Sequence, residues 1–185
     1  AYATVNGVTY SERELNGIIA LKTKAALESK GYSVTLTRNP LIAEYYSLNE
    51  SLARRVYIAN SLNADLFISI HQNKFDLESA NGTEVYYSTN NADAGYSGPS
   101  DKSYKINVSK QLASTISSNI SNAAGFRNRG DKDGNLFVCR NTSMPAVLIE
   151  CGFISNQNDV SKLNNSTVQQ TIAEAIASGV KTVIG

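Results

Sequence analysis

Two spacings of apolar residues divide the chain into predicted helices and strands. Apolar residues that recur every three or four positions predict amphipathic helices, and several of these segments open with the Ser-x-x-Glu or Ser-x-x-Gln spacing of a capping box. The predicted helices cover residues 11–30, 47–62, 104–124 and 166–183, with a shorter helical turn at 156–163. Gly31 directly follows the first of them, at a position where glycine favours the end of a helix.

Short apolar or alternating runs predict the strands. They cover residues 32–38, 65–70, 83–88, 136–140 and 146–150. The run at 65–70 is apolar nearly throughout, which is typical of a strand that is covered on both faces. The polar segments 1–10, 39–48, 89–103 and 125–135 are predicted to be loops, the first with a turn at Asn6-Gly7.

Strands that alternate with helices of this length favour one fold class. We expect a single α/β domain over residues 1–185, with a twisted, mostly parallel sheet that is covered by helices on both faces. A chain of 185 residues can bury a core without the help of a disulfide or a metal. Cys139 and Cys151 are therefore predicted to be small buried side chains, a disulfide between them being the alternative.

Composition narrows the range of partners. With 17 basic and 16 acidic residues the formal net charge is +1, so charge gives no general attraction to nucleic acid or to an anionic membrane. No run approaches the roughly 18 apolar residues of a membrane span. The few charges and the many Asn, Ser, Thr and Tyr residues suit a secreted bacterial protein, and we expect a monomer.

Three ionisable residues are candidates for chemistry. His71, the only histidine of the chain, and Glu150 each follow an apolar predicted strand, and functional groups of α/β sheets gather where strands end. A carboxylate at such an apolar rim tends to have a raised pKa, which suits a general base or acid. Glu12 opens the first predicted helix and has no capping duty, since Glu14 fills that position. The alternative is structural: a hydrogen-bonded histidine and a glutamate that is merely the first solvated residue.

Several segments of the chain resemble a known family. They are YSERELN, GYSVTLTRN, RRVYIANSLNADLFISIHQN, GTEVYY and RNRGDKDGNLFVCRNTSMPAVLIECGFISN. In this order they are similar to the zinc-dependent N-acetylmuramoyl-L-alanine amidases, the amidase-3 class of cell-wall hydrolases, from about residue 11 to the C-terminus. The resemblance implies hydrolysis of the amide between the lactyl group of N-acetylmuramic acid and L-alanine of the stem peptide. It also implies peptidoglycan as the partner and the cell wall as the place of action.

The resemblance further implies the residues of the site. Glu12, with Asn16 in an E-x-x-x-N stretch, and His71, in the SIH motif, match zinc ligands. Glu150, in the IE-x-GF motif, matches the catalytic glutamate. The residue types suit this chemistry, because zinc takes nitrogen and oxygen ligands and a catalytic zinc keeps one position open for water.

One ligand of the family's zinc site has no counterpart in this sequence. The family's first zinc histidine lies in a glycine-rich motif after its first strand. That motif would fall just before Ala1; no strand is predicted before Ser11, and the chain has no second histidine. We expect the chain to begin after this strand and motif. The alternatives are a variant with a defective metal site, which would be a wall-binding module of the same fold, and an unrelated α/β domain in which His71 and Glu150 are structural.

Overall fold

Helices and strands alternate through most of the chain. In the computed structural model, which describes residues 1–42 and 45–185, the elements in chain order are β1 (Tyr2–Val5), β2 (Val8–Ser11), α1 (Glu12–Ser29), α2 (Leu48–Ser61), β3 (Phe67–Asn73), β4 (Thr83–Tyr87), α3 (Lys102–Ala124), β5 (Asn128–Asp133), α4 (Phe137–Asn141), β6 (Ala146–Phe153), α5 (Gln157–Leu163) and α6 (Ser166–Ile184). The predicted loop at 39–48 includes Ala43 and Glu44, which lie outside the described residues.

A four-stranded mixed sheet forms the centre of the fold. Its strand order is β3-β6-β4-β5. The β3–β6 and β4–β5 pairs are parallel, and the central β6–β4 pair is antiparallel. The predicted α/β class with a mostly parallel sheet is thus confirmed. None of the helices in the described residues is long and apolar enough to cross a membrane.

Alternation along β6 separates two cores, one on each face of the sheet. The side chains that pack with α1, α3 and α6 are Val147, Ile149 and Cys151. Those that pack with α2 and α4 are Ala146 and Leu148. Because successive side chains of a strand point to opposite faces, Glu150 lies on the α2–α4 face of the sheet. Cys139 and Cys151 are buried and free, as predicted.

Side-chain caps define where the long helices begin. Ser11 accepts a hydrogen bond from the backbone amide three residues further on, and this cap starts α1. Ser47 and Glu50 make both bonds of the predicted capping box. The last helix begins at Ser166 as expected, but its N-cap is Asn165. Such caps satisfy amide groups that the first turn of a helix leaves without partners.

The predicted loop at residues 1–10 is a β-hairpin. β1 and β2 pair antiparallel around the predicted turn, where Asn6 and Gly7 both have a positive φ. The expectation that no strand precedes Ser11 is therefore wrong. Most of the hairpin's side chains are exposed or half-buried, so its strands lack the apolar alternation by which a strand is recognised. The hairpin leads directly into α1.

The strand predicted at residues 32–38 is not a strand: the segment has no regular secondary structure, bends at 37–38 and lies outside the sheet. Tyr32 and Val34 are half-buried against the core, whereas Ser33 and Thr35 are exposed. The alternating pattern correctly indicates that one face is buried. It contains no information about a backbone partner, and the four-stranded sheet ends at β3.

Two neighbouring segments were also assigned to the wrong class. The polar segment 125–135, predicted as a loop, contains β5. An edge strand with half-exposed side chains can be polar throughout, and such strands often carry charges. The apolar run at 136–140, predicted as a strand, lies in and directly before α4, where Val138 and Cys139 are buried. A five-residue apolar run fits one helical turn as well as it fits a strand.

Candidate active site

The strand register brings His71 and Glu150 side by side. They are direct partners in the parallel β3–β6 pair, and partners in register point to the same face of a sheet. Both lie inside their strands, which continue to Asn73 and Phe153, so the prediction that they terminate strands is wrong. The pairing becomes irregular immediately after His71. The two candidates therefore share one face, just before the regular ladder is interrupted.

Glu12 reaches the same place from the start of α1. The β1–β2 hairpin precedes α1 directly and positions Glu12 near His71. The Glu12 amide donates a hydrogen bond to the Ala1 carbonyl at 3.0 Å. Glu12 Oε1 lies 2.8 Å from His71 Nδ1 and accepts a 3.2 Å hydrogen bond from Asn16 Nδ2. The Ala1 amino group donates to Glu12 Oε2 at 2.7 Å. The structure thus brings Glu12, Asn16 and His71 into one hydrogen-bonded group.

The surroundings of Glu12 favour its ionised form. Burial by itself would raise the pKa of this carboxyl, but its hydrogen bonds, first among them the one with His71, outweigh burial and lower the pKa. Glu12 is therefore a carboxylate at any physiological pH, the form in which it can bind a cation.

Glu150 has the opposite environment. Burial, together with the negative charges of Glu12 and Glu84, raises its pKa to about 8. Its buried Oε2 has no hydrogen-bond partner among residues 1–42 and 45–185. A buried polar atom without a partner is uncommon in folded proteins and needs an explanation. A carboxyl in this state can hold a proton near neutral pH.

The donor atoms at this place suit zinc, although they are fewer than usual. Glu12 and His71 offer a carboxylate oxygen and an imidazole nitrogen, both typical zinc ligands. The described residues contain no group of three or more His, Cys, Asp and Glu side chains that could hold a metal ion. Cys151 does not complete the set, because it points to the other face of the sheet. Glu12 and His71 thus have the right donor atoms for two of the three protein ligands that a catalytic zinc normally has.

Sequence reasoning missed Glu84. It lies on β4 directly opposite Glu150 in the antiparallel β4–β6 pair, and only 2% of it is exposed. Its Oε1 accepts hydrogen bonds from Asn73 Nδ2 at 2.9 Å and Tyr86 OH at 2.8 Å. The sequence did contain a signal for Glu84, namely a charged residue inside an otherwise uncharged strand. A buried charge is stable only when it is paired, so such a residue indicates charged partners nearby.

Two basic side chains of β5 complete the surroundings of Glu84. Glu84 Oε2 accepts hydrogen bonds from Arg129 Nε at 2.6 Å and Lys132 Nζ at 2.8 Å. Although burial opposes it, these bonds lower the pKa of Glu84. The guanidinium of Arg129 also lies 5.1 Å from the centre of the Phe153 ring. Opposite carboxyls of the same sheet thus differ in charge state, Glu84 being ionised and Glu150 tending to hold a proton.

A cavity of about 810 Å³ lies along the outer edge of β3. It is lined by residues 66–71 and by the segment 32–38, and it reaches the site at Asn16 and His71. β3 pairs only with β6 within the described part of the chain. The site is consequently open on the flank where a further strand of the sheet would lie.

Comparison with known proteins identifies the family. The sequence profile of Amidase_3, described as N-acetylmuramoyl-L-alanine amidase, matches residues 2–182. N-acetylmuramoyl-L-alanine amidase LytC of Bacillus subtilis is 36% identical over 168 residues, which is 91% of this chain and 30% of that protein. Several of the curated relatives are likewise much longer than this chain, which spans about a third or less of the first two.

Solved structures agree with this result. The catalytic domain of CwlV, an N-acetylmuramoyl-L-alanine amidase from Bacillus (Paenibacillus) polymyxa var. colistinus, superimposes with a TM-score of 0.79 at 30% identity, over 100% of this chain and 90% of that one. An N-acetylmuramoyl-L-alanine amidase from Clostridium difficile 630 gives a TM-score of 0.79 at 32% identity, over 98% and 88% of the two chains. The chain belongs to the Amidase_3 family of N-acetylmuramoyl-L-alanine amidases.

Proposed function

We propose that this domain hydrolyses the amide between the lactyl group of N-acetylmuramic acid and L-alanine of the stem peptide in peptidoglycan. One observation carries the proposal: Glu12 and His71, whose side chains lie 2.8 Å apart, lie beside Glu150, a carboxyl with a raised pKa and a buried oxygen that has no partner among the described residues. Family membership supports the same reaction. We further propose that the domain is secreted and acts on the wall as a monomer, which agrees with relatives that are named cell wall amidases.

Glu12 and His71 would hold the zinc ion. The chemistry that zinc supplies in such a site is a water of lowered pKa and a polarised carbonyl. Asn16 keeps the Glu12 carboxylate in place through its hydrogen bond to Oε1, the same oxygen that meets His71. Fixing the ligands in this way limits the reorganisation that the site undergoes when the substrate binds.

Glu150 would move the proton. Its carboxylate takes a proton from the attacking water as the new C–O bond forms, and the same carboxyl then gives that proton to the nitrogen of the leaving L-alanine amine as the C–N bond breaks. The raised pKa of Glu150 suits the second step, because a carboxyl with a pKa of about 8 keeps the proton until the amine needs it. A cation held by Glu12 and His71 would offset the charge of Glu12 and so favour the ionised form of Glu150 for the first step.

The test combines metal content with product release. We expect the purified chain to bind zinc and to release new L-alanine amino termini from peptidoglycan. Glu150→Gln should lower the rate by about 10²–10⁴-fold, the usual contribution of a general acid–base residue. Glu174→Gln, which alters an exposed glutamate of α6, is the matched control and should leave the rate unchanged. Release that survives Glu150→Gln would contradict the role given to Glu150.

A second candidate function has one observation in its favour. The described residues supply two metal ligands where a catalytic zinc normally has three. The domain could accordingly be a wall-binding module that keeps the fold and the groove with little hydrolytic activity. Sedimentation of the chain with insoluble peptidoglycan, without zinc uptake and without release of amino termini, would favour this function over hydrolysis.

A further inference from the structure

Glu84 holds two basic side chains of β5 in place on the face of the sheet that carries Glu150. Four donors surround its carboxylate, and two of them, Arg129 and Lys132, are positively charged. One negative charge against two positive charges leaves the group with a net charge of +1. The group is not a closed ion pair, because 28% of the Arg129 side chain and 35% of the Lys132 side chain remain exposed.

The position of this group relative to Glu150 follows from the sheet register. Glu84 and Glu150 are direct partners, and β5 is the next strand beyond β4. Neighbouring strands lie about 4.8 Å apart, so the two cations lie roughly 5–10 Å beyond Glu150, on the side away from β3 and His71. An extended peptide spans this distance with two or three residues, at about 3.3 Å per residue.

Arg129 has donors to spare for a ligand. Its bond to Glu84 uses Nε, and a guanidinium has two further nitrogens whose N–H groups form a fork that matches a carboxylate. The ring of Phe153 lies under the guanidinium at 5.1 Å and keeps its plane oriented. Glu84 and Phe153 thus hold Arg129 in place before any ligand arrives, which lowers the entropy cost of binding.

We propose that Arg129 and Lys132, oriented by the buried Glu84, form a subsite for a carboxylate of the stem peptide two or three residues beyond the scissile amide. This proposal rests on the proposed amidase function. The sugars and the amidated lactyl group are neutral, so the peptide is the anionic part of the substrate. The subsite therefore sets the direction in which the substrate lies: the peptide crosses β6 and β4 towards β5, and the glycan lies on the side of Glu12 and β3. Glu84 is a positioning residue in this arrangement.

The test measures binding to the metal-free chain, in the presence of a chelator, so that the probes are not hydrolysed and the result does not depend on turnover. The probes are N-acetylmuramoyl-L-alanyl-D-glutamate and the same compound with both glutamate carboxyls converted to primary amides. Titration calorimetry at low salt should show that the free acid binds about tenfold more tightly, the lower end of what a hydrogen bond to a charged group contributes. The preference should shrink at high salt, because exposed charges are screened.

Variants assign the preference to the subsite. Arg129→Gln should reduce the ratio of the two affinities to near one, Lys132→Gln should reduce it in part, and Arg129→Lys should keep part of it. Arg127→Gln, which changes an exposed arginine two residues away, should leave the ratio as it is. Unfolding midpoints of all variants show whether a loss of binding reflects a loss of fold.

The outcomes separate the subsite from the catalytic function. Equal affinity for both probes, binding of neither, or a preference that survives Arg129→Gln in a folded protein would overturn the subsite. Peptidoglycan hydrolysis measured on the same samples tests the amidase function independently. Hydrolysis without a preference would support the amidase function and overturn the subsite. A preference without hydrolysis would support the carboxylate-binding subsite and contradict the amidase function.

Discussion

Replacing Glu150 with glutamine should stabilise the metal-free protein at alkaline pH. Glu150 has a pKa of 4.5 in the absence of its surroundings and of about 8 in the folded chain. Folding therefore favours the protonated carboxyl. Any stability that Glu150 contributes is fully present below pH 4.5 and is lost as the pH rises towards 8. Glutamine resembles the protonated form and does not titrate, so the variant keeps this stability at every pH.

The size of the effect follows from the two pKa values. Each pKa unit corresponds to about 1.4 kcal/mol, so the interval from 4.5 to about 8 sets a ceiling of about 5 kcal/mol on the loss. Water that enters the site and rearrangement of neighbouring side chains reduce this figure, and we expect about 2–4 kcal/mol at pH 8.5 and almost no difference at pH 4.5.

The assay is urea unfolding of both proteins in the presence of a chelator, at several pH values between 4.5 and 9. Subtracting the two unfolding free energies isolates Glu150, because every other titrating group is common to both proteins. A difference that does not change with pH would refute the reasoning, since it would mean that Glu150 has the same pKa in the folded and unfolded chains. A larger advantage of the variant at acid pH would mean that the folded state favours the carboxylate.

Three further predictions concern the metal and the packing around the site. His71→Ala should weaken zinc binding by more than about tenfold, as measured by competition with a chromogenic chelator, since losing a ligand should cost at least as much as losing a residue that supports one; unchanged affinity would place the metal elsewhere. Asp159→Ala should lower the free energy of unfolding by about 1–3 kcal/mol in urea titrations, because the buried Asp159 Oδ2 accepts hydrogen bonds from two buried backbone amides at 2.7 and 3.0 Å; a neutral result would mean that water replaces the carboxylate. Gly152→Ala should cost about 1–3 kcal/mol in thermal unfolding, because the added Cβ would lie 2.9 Å from a phenylalanine ring. Gly98→Ala, which meets nothing within 4 Å, is its control.

Burial of a face could be predicted from the sequence more reliably than backbone pairing. The pattern at 32–38 alternates as a strand does and is half-buried on one side, yet the segment lies outside the sheet. The polar segment at 125–135 contains a strand because β4 supplies a pairing edge far away in sequence. Hydrophobic spacing reports contact with the core, whereas hydrogen-bond partners depend on tertiary structure, which no local window contains.

The same distinction explains which site residues could be found. The apolar runs before His71 and Glu150 marked them as candidates from local sequence alone. Glu12 had only a weak local signal, its place at a helix start without a capping duty, and the family resemblance added to it; the structure brings it to His71. Glu84 was missed because the cations that satisfy it belong to β5, a segment that looked like a loop. A buried charge can be interpreted only with its partners, and these partners are about 45 residues away in the chain.

Glu84 and Glu150 together indicate how one sheet face can hold two carboxyls in different states. They lie opposite each other on adjacent strands, where two like charges would repel. Glu84 receives four hydrogen bonds, two of them from cations, and stays ionised. Glu150 has an oxygen that finds no partner in the described part of the chain, and its pKa rises in part because Glu84 keeps its charge. Carboxyls whose environments push their pKa values apart take different roles in catalysis. In the mechanism that we propose, the cations of β5 would serve the proton chemistry indirectly: by holding Glu84 as a carboxylate, they would help Glu150 to retain the proton that the leaving amine requires.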